Sequence, residues 1–322
     1  MKTTCPSPEC TFCKKKLTTL ILKNILAYGE FYDVYECAQC KISMLHPFPS
    51  DEILAKLYSC GSYRTNRGKR FGFLIESLIH LGRIRKRRRI SQFVKIGKIL
   101  DIGCGRGLFL DVMRRGGWDT IGTEFNEETA SYAINAYGLK ILPGDIAQHK
   151  LPAESLDAIN INQVLEHLKN PDKVLEESRR LLMKGGILII SVPDLRSLQF
   201  AIGKKNWAYL DLPFHLFHFT EEGLSELLKK NKFKVKHIKR FSLEMGPFGW
   251  LQTLLNISGV PFNLLYNLLK TSELRDGKIN PEGIIATFLL LPIYFPLALI
   301  LSVLEPLLWK RGGSIEVYAE KK

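Results

Sequence analysis

Negative charge is scarce in this 322-residue chain, where 32 Asp and Glu face 46 Lys and Arg for a formal charge of +14. That deficit favours an anionic partner such as phospholipid headgroups, nucleic acid or a phosphorylated substrate. Charge is missing altogether from Met245–Leu269 and from Gly283–Leu304. Cysteine is sparse, and its odd count of seven excludes complete pairing into disulfides. With no signal-peptide pattern at Met1, a reducing, cytoplasmic compartment is expected. The G-x-G-x-x-G dinucleotide fingerprint is also absent around Gly103, where the glycines alternate instead.

Four cysteines form two C-x-x-C pairs, Cys10/Cys13 and Cys37/Cys40, separated by 23 residues. A tetrahedral zinc ion needs four converging thiolates, and each C-x-x-C turn presents two from one loop. Residues 1–48 are therefore expected to form a zinc-ribbon-like module, with Cys5 as a spare that competes with Cys10. The proline-marked stretch HPFPSDEILAKLY opens a helical linker over residues 49–97. Within it Phe71–Leu81 has helical apolar spacing, followed by RIRKRRR, which puts six basic residues in seven positions. Such a run is either a solvated helix face or a contact for phosphate or anionic headgroups.

From Lys98 the chain alternates strand and helix. The stretch KILDIGCGRGLFL reads as a buried strand turning sharply into a helix, with Gly103, Gly105 and Gly107 giving bare backbone and tolerance of positive φ. Strands are expected at Lys98–Ile102, Asp119–Glu124, Lys140–Leu142, Leu156–Ile161, Ile187–Val192 and Phe233–Phe241. Helices are expected at Leu108–Arg115, Glu127–Tyr137, Pro171–Met183 and Glu221–Lys230. This order implies a mostly parallel sheet wrapped by helices, in an α/β, Rossmann-like class. Ser314–Glu320 alternates like one further strand.

The DIGCGRG loop, the acid at Glu124 and the closing strand resemble the class I S-adenosylmethionine-dependent methyltransferases. The resemblance implies a seven-stranded sheet over residues 98–241, closed by an antiparallel final strand in 313–322, and S-adenosylmethionine as methyl donor. By that match Asp101, Gly103, Gly105 and Gly107 face the donor's methionine end, and Glu124 its ribose diol, with Phe125 in the same pocket. Asp145 and Ile146 take the adenine, and Asn162 and Gln163 approach from the fourth strand. A helix N-terminus suits the methionine carboxylate, and all these residues sit at carboxyl ends of strands, where open α/β sheets collect ligands.

The stretch NQVLEHLKNPDKVLEESRRLLMKGGILIISVPD also resembles the family, whose EH pair follows strand four. Glu166 and His167 would face the acceptor, with His167 as general base. Bracing of the next helix is its structural alternative. A segment with Trp207, Asp211, Pro213, His215 and His218 is similar to the active-site cover of zinc-ribbon methyltransferases. There His215 is the polar contact and His218 the packing residue. A divalent cation on Glu166, His167 and His215 is an alternative that nothing in their spacing requires.

Residues 242–312 interrupt the fold before its last strand with about seventy residues, far beyond an ordinary loop. Gly283–Leu304 is long enough to cross a bilayer, for which about 20 apolar residues suffice. A single crossing would separate the last strand from its sheet, so a dip or an even number of crossings is expected. Pro292 and Pro296 favour a re-entrant or interfacial hairpin, and basic flanks add attraction to an anionic membrane surface. The expected enzyme methylates a lipid, lipid-linked glycan or other apolar acceptor and is peripheral or monotopic at the inner face of the membrane. The alternatives are a soluble sugar nucleotide or secondary metabolite as acceptor, an RNA methyltransferase, which the uncharged runs disfavour, and a non-catalytic cofactor-binding scaffold.

Overall fold

A computed structural model describes residues 8–54, 71–270 and 280–322. Cys5 and Cys60 lie outside them.

The strand-forming runs assemble into two sheets. The larger joins β4 (Lys98–Ile102), β5 (Asp119–Glu124), β6 (Lys140–Pro143), β7 (Leu156–Asn162), β8 (Leu182–Pro193), β10 (Phe233–Lys239) and β11 (Ser314–Lys321). Their spatial order is β10-β11-β8-β7-β4-β5-β6. The inner strands β4, β7 and β8 are buried along most of their length, as parallel strands covered on both faces must be. β4 is parallel to both β5 and β7, so the strand order reverses there and opens a crevice beyond the carboxyl ends of β4 and β7. β11 runs antiparallel between β8 and β10.

Helix ends follow local chemistry. α2 (Leu108–Arg115) starts from Gly107 in the left-handed region. α3 (Glu127–Tyr137) is capped by the Asn126 side chain accepting from the Thr129 N–H, and it stops at Gly138, also left-handed. α4 (Pro171–Leu181) carries Pro171 in its first turn, and α5 (Leu198–Gly203) is capped by Ser197. α6 (Glu221–Lys230) is capped by Thr220, whose hydroxyl also donates to the Lys41 carbonyl.

The N-terminal module is stitched to this body. β1 (Thr19–Ala27), β2 (Glu30–Glu36) and β3 (Ser43–His46) form an antiparallel sheet completed by β9 (Phe217–His218), which comes from the segment after β8. Gly223 lies so close that a Cβ there would meet the Lys41 carbonyl oxygen at 2.5 Å.

α1 (Phe73–Ile90) runs past the expected end at Leu81 and takes the basic cluster into the helix. The cluster is no uniformly solvated face. Lys86 is buried, with its ammonium 3.0 Å from Glu316 of β11 and donating to Asn162 of β7 at 3.0 Å and Ser191 of β8 at 3.2 Å. One side chain thus ties α1 to three strand ends.

The insert forms α7 (Met245–Ile257), α8 (Leu264–Leu269) and α9 (Pro281–Leu308). α9 is a single 28-residue helix with three prolines inside it, long and apolar enough to cross a membrane. The bend expected at Pro292 and Pro296 is not there, since the helix continues through both; α7 and α8 instead pack back against α9. Trp250 Nε1 donates to Glu305 at 2.9 Å, Ser258 and Tyr294 share a hydroxyl bond at 2.7 Å, and a Cβ on Gly283 would meet Leu264 at 2.8 Å. These contacts descend one element as they climb the other, so the packing is antiparallel. Gly283, Thr287, Ala298 and Ser302 form the buried, small-residue face, while Phe288, Leu289, Ile293 and Ile300 are exposed.

The Lys86 pair sets a pH-dependent contribution to stability. Burial pushes the Glu316 carboxyl up, but Lys86 and Lys239 more than reverse this and hold it at about 2. A depressed carboxylate contributes stability above its ordinary range and loses it as pH falls toward the folded value. Lys86→Met leaves a buried anion with weaker compensation and should cost about 3 kcal/mol near pH 7. Thermal unfolding across pH checks this: the deficit should shrink as the solution approaches pH ~3, where a carboxyl of ordinary pKa is protonated.

Candidate functional site

The glycine loop after β4 uses its three glycines differently. All have positive φ: +69° at Gly103, +55° at Gly105 and +74° at Gly107. A Cβ on Gly103 would strike Val164 at 2.5 Å, and one on Gly107 would strike Leu139 at 2.5 Å, so those two serve packing. A Cβ on Gly105 would meet nothing within 4 Å. That residue turns bare backbone toward open space, as close approach of a ligand requires.

Of the expected donor residues Glu124 touches this loop directly, and Phe125, Asp145 and Ile146 do not line the cavity beside it. Glu124, at the end of β5, accepts from the Gly105 N–H at 2.9 Å and from the Asn126 N–H at 3.0 Å. It braces the loop while each oxygen keeps a second lone pair for a diol. Asp101 is buried and accepts from Asn160 at 2.6 Å. Burial, opposed by that hydrogen bond, pushes its carboxyl up to about 7. Asp145 is exposed and caps a single 3-10 turn by accepting from the Ala147 N–H, with Ile146 buried beside it. Phe125 is 82% exposed, and Asn162 is occupied by Lys86. Gln163 follows it at φ +54°, with its N–H donating to the Ser191 carbonyl.

A cavity of about 650 Å³ opens in the crevice. Its floor is Asp101, Gly103, Gly105, Asn160, Asn162 and Ser191; one wall is the basic half of α1, and Leu243–Met245 at the start of α7 closes another side. The α1 wall, Ser191 and Glu316 are missed by sequence reasoning about the strands. The available signal is the basic run itself, since one lysine amid arginines on a continuing helix can turn inward while its neighbours do not.

Beyond Gln163 the chain makes a short 3-10 turn, Leu165–His167, against the segment before β9. His167 and His215 meet with ring centroids 4.7 Å apart. His167 Nδ1 lies 3.0 Å from the Phe214 carbonyl oxygen and His215 Nδ1 3.0 Å from that of Tyr209. A carbonyl only accepts, so both Nδ1 atoms carry hydrogen, which in a neutral ring leaves the lone pair on Nε2; His215 Nε2 lies 3.7 Å from Asp211. Glu166 is buried, and ligand atoms of Glu166, His167 and His215 all lie within 4.8 Å of one another. His218 is also buried; burial and the neighbouring His215 push it down to about 3, so it stays neutral and packs.

The four cysteine sulfurs of Cys10, Cys13, Cys37 and Cys40 also lie within 4.8 Å of one another. Cys13 and Cys37 are 3.5 Å apart, and Cys10 and Cys40 are 3.9 Å apart. Zn–S bonds of ~2.3 Å in a tetrahedron imply sulfur separations of about 3.8 Å.

A family model described as a methyltransferase domain matches residues 68–238. A protein of Mycolicibacterium smegmatis named "Probable S-adenosylmethionine-dependent methyltransferase" is 32% identical over 146 residues, 43% of this chain and 52% of its own length. A Pelagibacter ubique protein named ubiquinone biosynthesis O-methyltransferase is 28% identical over 178 residues, 52% of this chain and 74% of its own. The chain spans about half the length of the mycobacterial relatives it matches. A solved S-adenosylmethionine-dependent methyltransferase from Archaeoglobus fulgidus aligns over 75% of this chain and 93% of its own at 24% identity, with a TM-score of 0.48.

The differing roles of the glycines separate binding from stability. Gly105→Ala should cost only about 1 kcal/mol of stability, from the left-handed backbone, yet weaken S-adenosylmethionine binding at least ~10-fold, about 1.4 kcal/mol. Gly107→Ala should lower the melting temperature much further, because its methyl has no room. Calorimetric titration beside thermal unfolding distinguishes the two.

Proposed function

The chain belongs to the methyltransferase-domain family, and we propose that it transfers a methyl group from S-adenosylmethionine to an apolar acceptor at a membrane surface. A lipid or lipid-linked glycan is the acceptor class. The observation that carries the second half of this reading is the insert. α9 exposes an uncharged apolar face, and the same insert begins at Leu243–Met245 on the cavity wall. An acceptor anchored in lipid would therefore be held beside the cavity mouth, with the basic residues of α1 and Lys310 and Arg311 facing anionic headgroups.

Bound donor supplies an electrophilic methyl carbon on a sulfonium. The chain's task is alignment, which accounts for much of the rate in such displacements. The Gly103–Gly107 loop would receive the methionine carboxylate at the start of α2, and Glu124 the ribose hydroxyls. Burial of Asp101 places a carboxyl that titrates near neutrality beside the same loop. For a hydroxyl acceptor, His167 would take the proton on Nε2, its Nδ1–H held by the Phe214 carbonyl and its ring braced by His215. The name of the Pelagibacter relative, an O-methyltransferase, supports oxygen as the atom methylated.

We propose zinc for the cysteine cluster, in a structural role. Four thiols at that spacing fit a closed tetrahedral site, and the ribbon they fasten carries β3, the partner of β9 and thus of the His215 segment.

The test uses the full chain in detergent with methyl-labelled donor, offered separately to a lipid extract and to a water-soluble extract containing nucleotide sugars. Label should enter the organic phase, and His167→Ala should lower turnover ~10²–10⁴-fold without changing donor affinity. Label confined to the water-soluble pool would overturn the membrane-acceptor reading in favour of a soluble sugar nucleotide or metabolite.

A further inference from the structure

The cavity beside the glycine loop is more cationic than methyl transfer requires. Seven basic side chains line it against three acidic ones, Asp101, Glu244 and Glu316. Lys86 and Lys239 are engaged by Glu316, Arg106 by Glu76, and Arg89 lies 2.9 Å from His237. Arg83 is offset by Glu244 and Glu76, whereas Arg85 and Arg88 make no hydrogen bond or ion pair among the described residues.

Bound donor does not relieve this surplus. S-adenosylmethionine carries one carboxylate, one ammonium and one sulfonium, so it adds net positive charge. Its carboxylate neutralises one positive charge. Arg85, Arg88 and Arg89 also share one face of α1 at i, i+3 and i+4, an arrangement whose mutual repulsion weakens a helix. Arg89 lies against His237, while Arg85 and Arg88 are exposed side chains on the cavity wall, each a fork of donors that matches phosphate oxygens bidentately.

The mouth has a matching apolar side. Phe73, Leu74 and Leu78, on the N-terminal half of α1, are exposed, and Leu78 reaches the cavity lining. A ligand lying along α1 would pass from apolar contacts to arginines to the donor loop. Resting on the methyl-transfer reading above, we infer that the α1 wall binds a phosphate or pyrophosphate group of the acceptor, which is an amphiphile with an anionic head. The arginines Arg85 and Arg88 grip the phosphoryl oxygens, and the group to be methylated lies between them and the glycine loop.

The experiment measures binding by calorimetry to the full chain in neutral detergent, at physiological ionic strength, with S-adenosylmethionine saturating. Inorganic pyrophosphate probes the free-anion source and dihexanoyl phosphatidic acid the lipid source. At least one should bind, and Arg85→Gln with Arg88→Gln should weaken it about 100-fold, two charge-assisted contacts at about tenfold each. A control, Lys140→Gln with Lys184→Gln, removes equal charge from exposed sites outside the cavity and should change affinity less than ~3-fold. Tighter binding of the lipid phosphate supports the amphiphile; tighter pyrophosphate points to a soluble phosphorylated acceptor and overturns its being an amphiphile. Binding of neither probe, or equal weakening by the control pair, overturns the inference. Donor binding is read in the same titrations, so a chain that fails to bind S-adenosylmethionine defeats the methyl-transfer reading separately.

Discussion

The strand pairing of β10 with β11 constrains everything between them. These two strands are hydrogen-bonded neighbours from Phe233↔Lys321 to Lys239↔Glu316, and β11 is locked on its other side to β8. Residues 240–313 must therefore leave the sheet and return to the same edge. The insert must leave and return on the same side of any bilayer, as a dip or as an even number of crossings. The consequence is a hairpin, α7 and α8 against α9, with its polar anchor at the sheet end. There Glu305 accepts from Trp250 Nε1 and from the Leu198 N–H at the start of α5.

The same end of the sheet carries the cavity. Lys86 reaches from α1 to β7, β8 and β11, so the basic wall, the crevice floor and the insert's return strand form one connected body. On the opposite flank the cysteine ribbon contributes β3 to β9 and thereby sets the segment that brings His215 against His167. Two additions to a common sheet thus flank it, one inside it lining the cavity at Leu243–Met245 and one before it pairing with β9.

Much of this was legible in the sequence because the signals were local. The strand and helix bounds of Leu108–Arg115, Asp119–Glu124, Glu127–Tyr137 and Glu221–Lys230 coincide with expectation, since caps, glycines and apolar periodicity lie within each segment. The positions of Asp101, the glycines and Glu124 follow from strand ends. What stayed hidden depends on tertiary contact. The inward turn of Lys86 is decided by Glu316, which lies far along the chain, and β9 is a two-residue strand that exists only because β3 lies beside it. The hairpin closure was misplaced for a related reason. Pro292 and Pro296 suggested a bend within α9, yet that helix runs through them while α7 and α8 supply the returning arm.

The proposed attachment to a membrane from one face is tested most directly at the two ends of α9. The full chain would be reconstituted on sealed vesicles with Glu282→Cys or Lys310→Cys and treated with a membrane-impermeant maleimide, the labelled peptides then being identified by mass spectrometry. Attachment from one face predicts that both positions react in intact vesicles to the same extent. Labelling of one position only until the vesicles are opened would show that the hairpin crosses the bilayer and would contradict attachment from one face.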